Sequence, residues 1–148
     1  MSRRRSRIIA FQGLYSWDVG GMDEKDVLEL SWVNQNSVEK DDEESSEKSI
    51  KLDEEGAAFS RMLIAGTIEN IAKIDEKIKS HLTNWDFSRV NKVTIAILRM
   101  SVYSLMFTKD IDSSIIIDEA IDIAKNYGPD DSYKFVNAIL DNIKKDMN

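Results

Sequence analysis

Apolar residues recur along this chain at intervals of three and four, the spacing that lines one face of a helix. Over residues 3–19, Ile8, Ala10, Phe11, Leu14, Tyr15 and Trp17 cover most of a helix circumference. That predicts an element buried on several sides. Gly20-Gly21 ends it, and a shorter helix is expected over 23–33. The stretch "FSRMLIAGTIENIAKIDEKIKSHL", residues 59–82, places Phe59, Leu63, Ile64, Ile71, Ile74 and Ile78 at helical spacing, with Gly66 as a bend or a close helix contact. "NWDFSRV" interrupts the pattern, and residues 89–107 resume it as the most apolar and central helix. "KDIDSS" is the next break. "IIIDEAIDIAKNYG" is a helix stopped by Gly128 and Pro129. "DDSYKFVNAILDNIKK" starts with Asp and Ser as N-cap candidates and ends in lysines, as the helix dipole favours. One proline and six glycines in 148 residues suit long helices better than many short strands.

The segment between the two helical halves differs in kind. Residues 34–55 read "NQNSVEKDDEESSEKSIKLDEE", acidic and serine-rich, with too little apolar surface to offset the entropy of ordering. Most of it, residues 34–52, is expected to be a flexible acidic loop within a single domain spanning 1–148.

Charge and composition then narrow the chemistry. The net charge is −7, from 27 acids and 20 bases, so the chain as a whole does not coat nucleic acid and any anion must meet a local patch. There is no cysteine and one histidine, His81, which removes disulfides, thiolate chemistry and most zinc and triad designs. The glycines fit neither a dinucleotide loop nor a P-loop. Asp118 and Asp122, one turn apart with Glu119 beside them, could hold Mg²⁺, but a solvated helix face explains them as well. The longest apolar stretch, residues 93–107, contains Arg99 and would span about 22 Å as a helix, short of a bilayer core. The basic start lacks a cleavage site, so a cytoplasmic protein without membrane attachment is expected.

Three features remain. Arg3, Arg4, Arg5 and Arg7 concentrate positive charge before the first acid, Asp18. Guanidinium groups pair with phosphates and stack on bases, and Arg5, Gln12 and Ser16 would share about 40° of helix arc beside Tyr15. The alternative is a frayed, solubilising terminus. The second feature is "GPDDSYKFVN", residues 128–137. A helix N-terminus, Lys134 and the aromatic faces of Tyr133 and Phe135 suit single-stranded RNA, while Asp130 and Asp131 oppose it. A capped helix with core aromatics is the alternative. The third is the helix 89–107 with Arg89, Arg99 and Tyr103, whose arginines need acidic partners, within the chain or on another protein.

"RRRSRIIAFQGLYSW", "AILRMSVYSL", "IIIDEAIDIAKNYG" and "DSYKFVNAILD", in this order and spacing, resemble the NusB antitermination family over nearly the whole chain outside residues 34–55. The resemblance implies an all-α fold of two packed small helical bundles, about seven helices, with no catalysis, no cofactor and no metal. It implies binding of boxA, a short single-stranded element of nascent ribosomal RNA, together with the small-subunit ribosomal protein that acts as Nus factor E, within the RNA polymerase antitermination complex. Some members self-associate, so a homodimer is also implied. By motif, the RNA-facing residues are Arg3, Arg4, Arg5, Arg7, Gln12, Tyr15, Asp131, Lys134 and Phe135. The protein-partner surface is Arg89, Thr94, Arg99 and Tyr103. The chain departs from the family at Thr94, where an acid is frequent, near Asp112, where proline is frequent, and at Asp118, where asparagine is frequent. The acidic loop is also longer than the family pattern. A rival reading is a helical protein–protein adaptor without specific RNA binding. An enzyme-class reading, the accessory domain of an RNA cytosine methyltransferase, needs a catalytic fold that these 148 residues do not contain.

Overall fold

The computed structural model describes residues 3–33, 52–83 and 86–147. Among them all regular structure is helical. The helices are α1 (Arg3–Asp18), α2 (Glu24–Glu29), α3 (Glu54–Glu69), α4 (Ile71–Lys79), α5 (Lys92–Phe107), α6 (Ser113–Tyr127) and α7 (Ser132–Asp146), with a 3-10 turn at Phe87–Arg89. The expected all-α class with seven helices is what these residues form. The loop assigned to 34–52 lies almost wholly outside the described residues. The chain divides into two compact units, Met1–Ala65 and Gly66–Asn148, with the division inside α3.

In the first unit, α1 is buried on most of its circumference. Ile8, Ile9, Ala10, Phe11 and Leu14 are core residues. Gly13 allows close approach: a side chain there would press on Ile64, Val27 and Trp32. The Ser60 hydroxyl donates to the Ser6 carbonyl at 2.8 Å, a buried bond that sets α1 against α3. α1 ends as the glycines require, with Gly21 at φ +71. α2 is shorter than the expected 23–33. Leu30 takes a left-handed conformation and returns its N–H to the Val27 carbonyl, and the Trp32 indole donates to the same carbonyl at 3.1 Å. That carbonyl is committed to a turn, so the helix stops. At α3, the Asp53 carboxylate accepts from Gly56 N–H at 2.7 Å, a helix start just past the stretch read as loop.

In the second unit, α5 is the central element and packs against α4, α6 and α7. Ile95, Ile97, Leu98, Met100 and Val102 are almost wholly buried. It begins later than the expected residue 89. The Asn91 side chain accepts from the N–H groups of Val93 and Thr94 and sets the start at Lys92, leaving Arg89 on the preceding 3-10 turn. The long helix expected over 59–82 is two helices. The chain breaks at Asn70, whose side-chain amide donates to the Gly66 carbonyl at 2.9 Å. Gly66 is not the bend. It is a close contact, because a methyl group there would overlap the Tyr103 ring.

Candidate nucleic-acid interface

The four N-terminal arginines do not form one arm. All belong to α1, but Arg3 and Arg4 are exposed while Arg5 and Arg7 are buried. The Arg3 guanidinium lies over the Phe59 ring, 4.0 Å from its centroid, and Arg7 lies 5.4 Å from the same centroid. One aromatic ring from α3 therefore holds two cations one helical turn apart. Phe59 had appeared in the sequence only as a core position at helical spacing, and nothing local marks its second role. Residues 3–7 are a packed helical turn.

Further along α1, Tyr15 is exposed and Gln12 half-buried. At 100° per residue, Arg4, Gln12 and Tyr15 fall within about 80° of arc, forming one strip with a cation at its start, while Arg3 is exposed on a different side of the helix. The strip first read through Arg5 is displaced, because Arg5 points into the protein.

In the second unit, Lys134 is exposed and Phe135 half-buried in the first turn of α7. Asp131, the residue before this helix, takes a left-handed conformation, φ 65 and ψ 3, and its side chain makes no capping hydrogen bond. The side-chain capping expected of Asp131 is therefore absent; a capping residue typically has β-region backbone, and Asp131 does not. It faces Lys134 instead, at 3.9 Å, with both side chains in solvent, so the pair contributes little to stability. The Lys125 ammonium lies over the Tyr133 ring at 5.0 Å, placing a second cation beside this turn.

On the surface assigned to a protein partner, Arg89 is exposed and Tyr103 half-buried, stacked on the exposed Phe107 with ring centroids 5.3 Å apart. Burial pushes the Tyr103 phenol up, and Glu69 adds to the rise. Thr94 and Arg99 are buried, and Arg99 is paired with Asp75 within the unit. Phe107, which the sequence reading did not single out, offers more accessible apolar surface than either.

His81 joins the ends of α4 and α7: Nδ1 lies 2.9 Å from the Lys77 carbonyl and Nε2 meets the Asp146 carboxylate. Among the described residues, no group of three His, Cys, Asp or Glu side chains could hold a metal ion. Also among them, no helix is long and apolar enough to cross a membrane.

The family model described as NusB family matches residues 4–145. The chain belongs to the NusB family. It is 50% identical over 144 residues to the transcription antitermination protein NusB of Treponema denticola, covering 97% of this chain and 96% of that protein. It is 38% identical over 147 residues to that of Bacillus licheniformis, covering 99% of each. The solved structure of T. maritima NusB superposes with a TM-score of 0.78 at 35% identity, covering 98% of this chain and 92% of that one. A crystal structure of the antitermination factors NusB and NusE with double-stranded RNA matches with a TM-score of 0.78 at 24% identity, covering 97% and 96%, and bears on the fold alone. As a member of the NusB family, the protein is a non-catalytic transcription antitermination factor.

Proposed function

We propose that this NusB-family protein binds boxA single-stranded RNA of nascent ribosomal transcripts together with the ribosomal protein acting as NusE. In this reading it acts in the cytoplasm, within the antitermination complex of RNA polymerase. The observation that carries the RNA part is the strip of α1 where Arg4, Gln12 and Tyr15 stand on one side of a helix that is buried at residues 5–11, 13 and 14. A cation, an amide and an aromatic face at fixed separation suit a single strand better than a mobile basic tail does. Lys134 and Phe135 supply the same chemistry on α7. For NusE, the support is the aromatic stack of half-buried Tyr103 on exposed Phe107, since aromatic side chains are common anchors of protein interfaces. A structural neighbour was solved as a complex of NusB and NusE with double-stranded RNA, which names protein and RNA partners for that protein.

Titration of a boxA-like RNA, a scrambled strand and a duplex, with and without NusE, tests the reading. Preference for boxA that rises with NusE is expected. With Arg3, Arg4 and Lys134 as phosphate contacts, log K should fall against log salt with a slope of about −2, taking roughly −0.7 per contact. Equal binding of boxA and the scrambled strand would favour the adaptor reading.

A further inference from the structure

We propose that Phe59 is a positioning residue for RNA binding, a platform that holds Arg3 in place to meet a phosphate. The inference rests on the proposed function above, in which Arg3 is a phosphate contact.

Phe59 is only 7% exposed, so it offers a partner almost no surface of its own. Its ring face is nevertheless occupied by Arg3, which is itself exposed. An aromatic ring attracts a cation through its quadrupole but offers no lone pair to the guanidinium N–H groups. Arg3 held there is fixed in position while its donors stay available to an anion. A guanidinium on a mobile terminus would have to lose that freedom on binding, at a cost in side-chain entropy.

The platform is itself anchored. The neighbouring Ser60 hydroxyl donates to the Ser6 carbonyl at 2.8 Å in a buried bond. That bond joins the residue after Phe59 to the α1 turn that carries Arg3 and Arg7. The register of α3 against α1 is thus fixed at the point where the ring meets the two cations. Arg7, 5.4 Å from the ring centroid and buried, occupies the inner position. Arg3 occupies the outer one, the only one of the two that a nucleic-acid backbone can reach directly.

The test is a set of titrations with one boxA-like RNA oligonucleotide at several salt concentrations, using wild type, Phe59→Leu, Arg3→Ala and the double variant. Leucine keeps an apolar side chain but lacks the ring face. Arg3→Ala should weaken binding and lower the magnitude of the salt slope by about 0.7. Phe59→Leu should weaken binding about two- to fivefold, the range expected for an exposed cation–π hold. Its salt slope should be unchanged, since Arg3 still meets phosphate but from a disordered start. The double variant should bind no more weakly than Arg3→Ala. Phe59→Tyr, which keeps the ring face, should bind as wild type, and thermal melts identify folded variants. If Phe59→Leu does not fold, Phe59→Met serves in its place. Wild-type affinity in a folded Phe59→Leu, or losses that add in the double variant, would overturn the inference while leaving the RNA reading intact. No change in Arg3→Ala would instead remove the reading beneath it.

Discussion

Arg99 and Asp75 form a two-pronged ion pair, Nε to Oδ1 and Nη2 to Oδ2, each at 2.8 Å. The pair joins the central helix α5 to α4, and Phe87 flanks the guanidinium with its ring centroid 5.7 Å away. The Arg99 side chain is 9% exposed and that of Asp75 19%. Of the two origins the sequence left open for the acid that pairs with Arg99, the internal one is what the structure contains. Any effect of Arg99 on a partner protein is then exerted through the placement of α5.

Asp75→Ala should therefore destabilise the fold, by about 3 kcal/mol, because it takes the carboxylate from a buried guanidinium. Replacing both residues by apolar ones, Asp75→Leu with Arg99→Met, should recover much of the loss. Urea unfolding of wild type and the two variants measures both effects. A single variant as stable as wild type would show that the pair contributes nothing net.

Gly66 and Tyr103 yield a prediction whose sign depends on background. In an ordinary helix interior, Gly→Ala stabilises by roughly 1 kcal/mol. Here the added methyl group would overlap the tip of the Tyr103 ring, which must swing away from α3 and from its stack on Phe107. Gly66→Ala should be destabilising and should weaken NusE binding. In a Tyr103→Ala background the same substitution should be stabilising. Chemical denaturation of the four proteins checks the reversal; destabilisation in both backgrounds would locate the clash elsewhere.

Asp131 combines a left-handed backbone with a carboxylate beside Lys134. Asparagine tolerates that conformation as aspartate does, so Asp131→Asn should leave the melting temperature nearly unchanged, whereas Asp131→Ala should cost about 1 kcal/mol. Removing the negative charge should tighten RNA binding, by about 1 kcal/mol at low salt and less at high salt. Affinities for one RNA at two salt concentrations check this. Weaker binding at both would mean that the carboxylate accepts a hydrogen bond from the RNA.

Asp112 caps α6. Its carboxylate accepts the Ser114 backbone N–H at 2.9 Å and the Ser114 hydroxyl at 3.0 Å. These bonds, with a smaller contribution from Lys144, hold its carboxyl below the usual aspartate range. A group lowered on folding contributes stability that is fully present above its unfolded value and is lost as pH falls through the lowered folded value. Asp112→Asn keeps an acceptor for the N–H but has no charge to lose. Its melting temperature should fall less steeply with acidification than that of wild type, and parallel curves would remove Asp112 from the acid response.

The periodicity of apolar positions determined the helical class and most of the helices, because helical order depends on residues three and four apart, which sequence displays directly. The ends marked by Gly20-Gly21 and by Gly128-Pro129 were legible for the same reason, and the motifs sufficed to show the family resemblance. The relationships that define the surfaces span much longer separations. Arg3 meets Phe59, Gly66 meets Tyr103, and Arg99 meets Asp75. Nothing in a local pattern selects such pairs, since they form only when helices pack in one register. Packing also divided the four consecutive-looking arginines into two exposed and two buried, and loop closure placed Asp131 in a conformation that its neighbours in sequence do not foretell. The sequence thus determined which residues could carry charge and stacking to a partner. The tertiary structure decided which of them face outward, because side-chain direction depends on which neighbouring helix occupies the other faces.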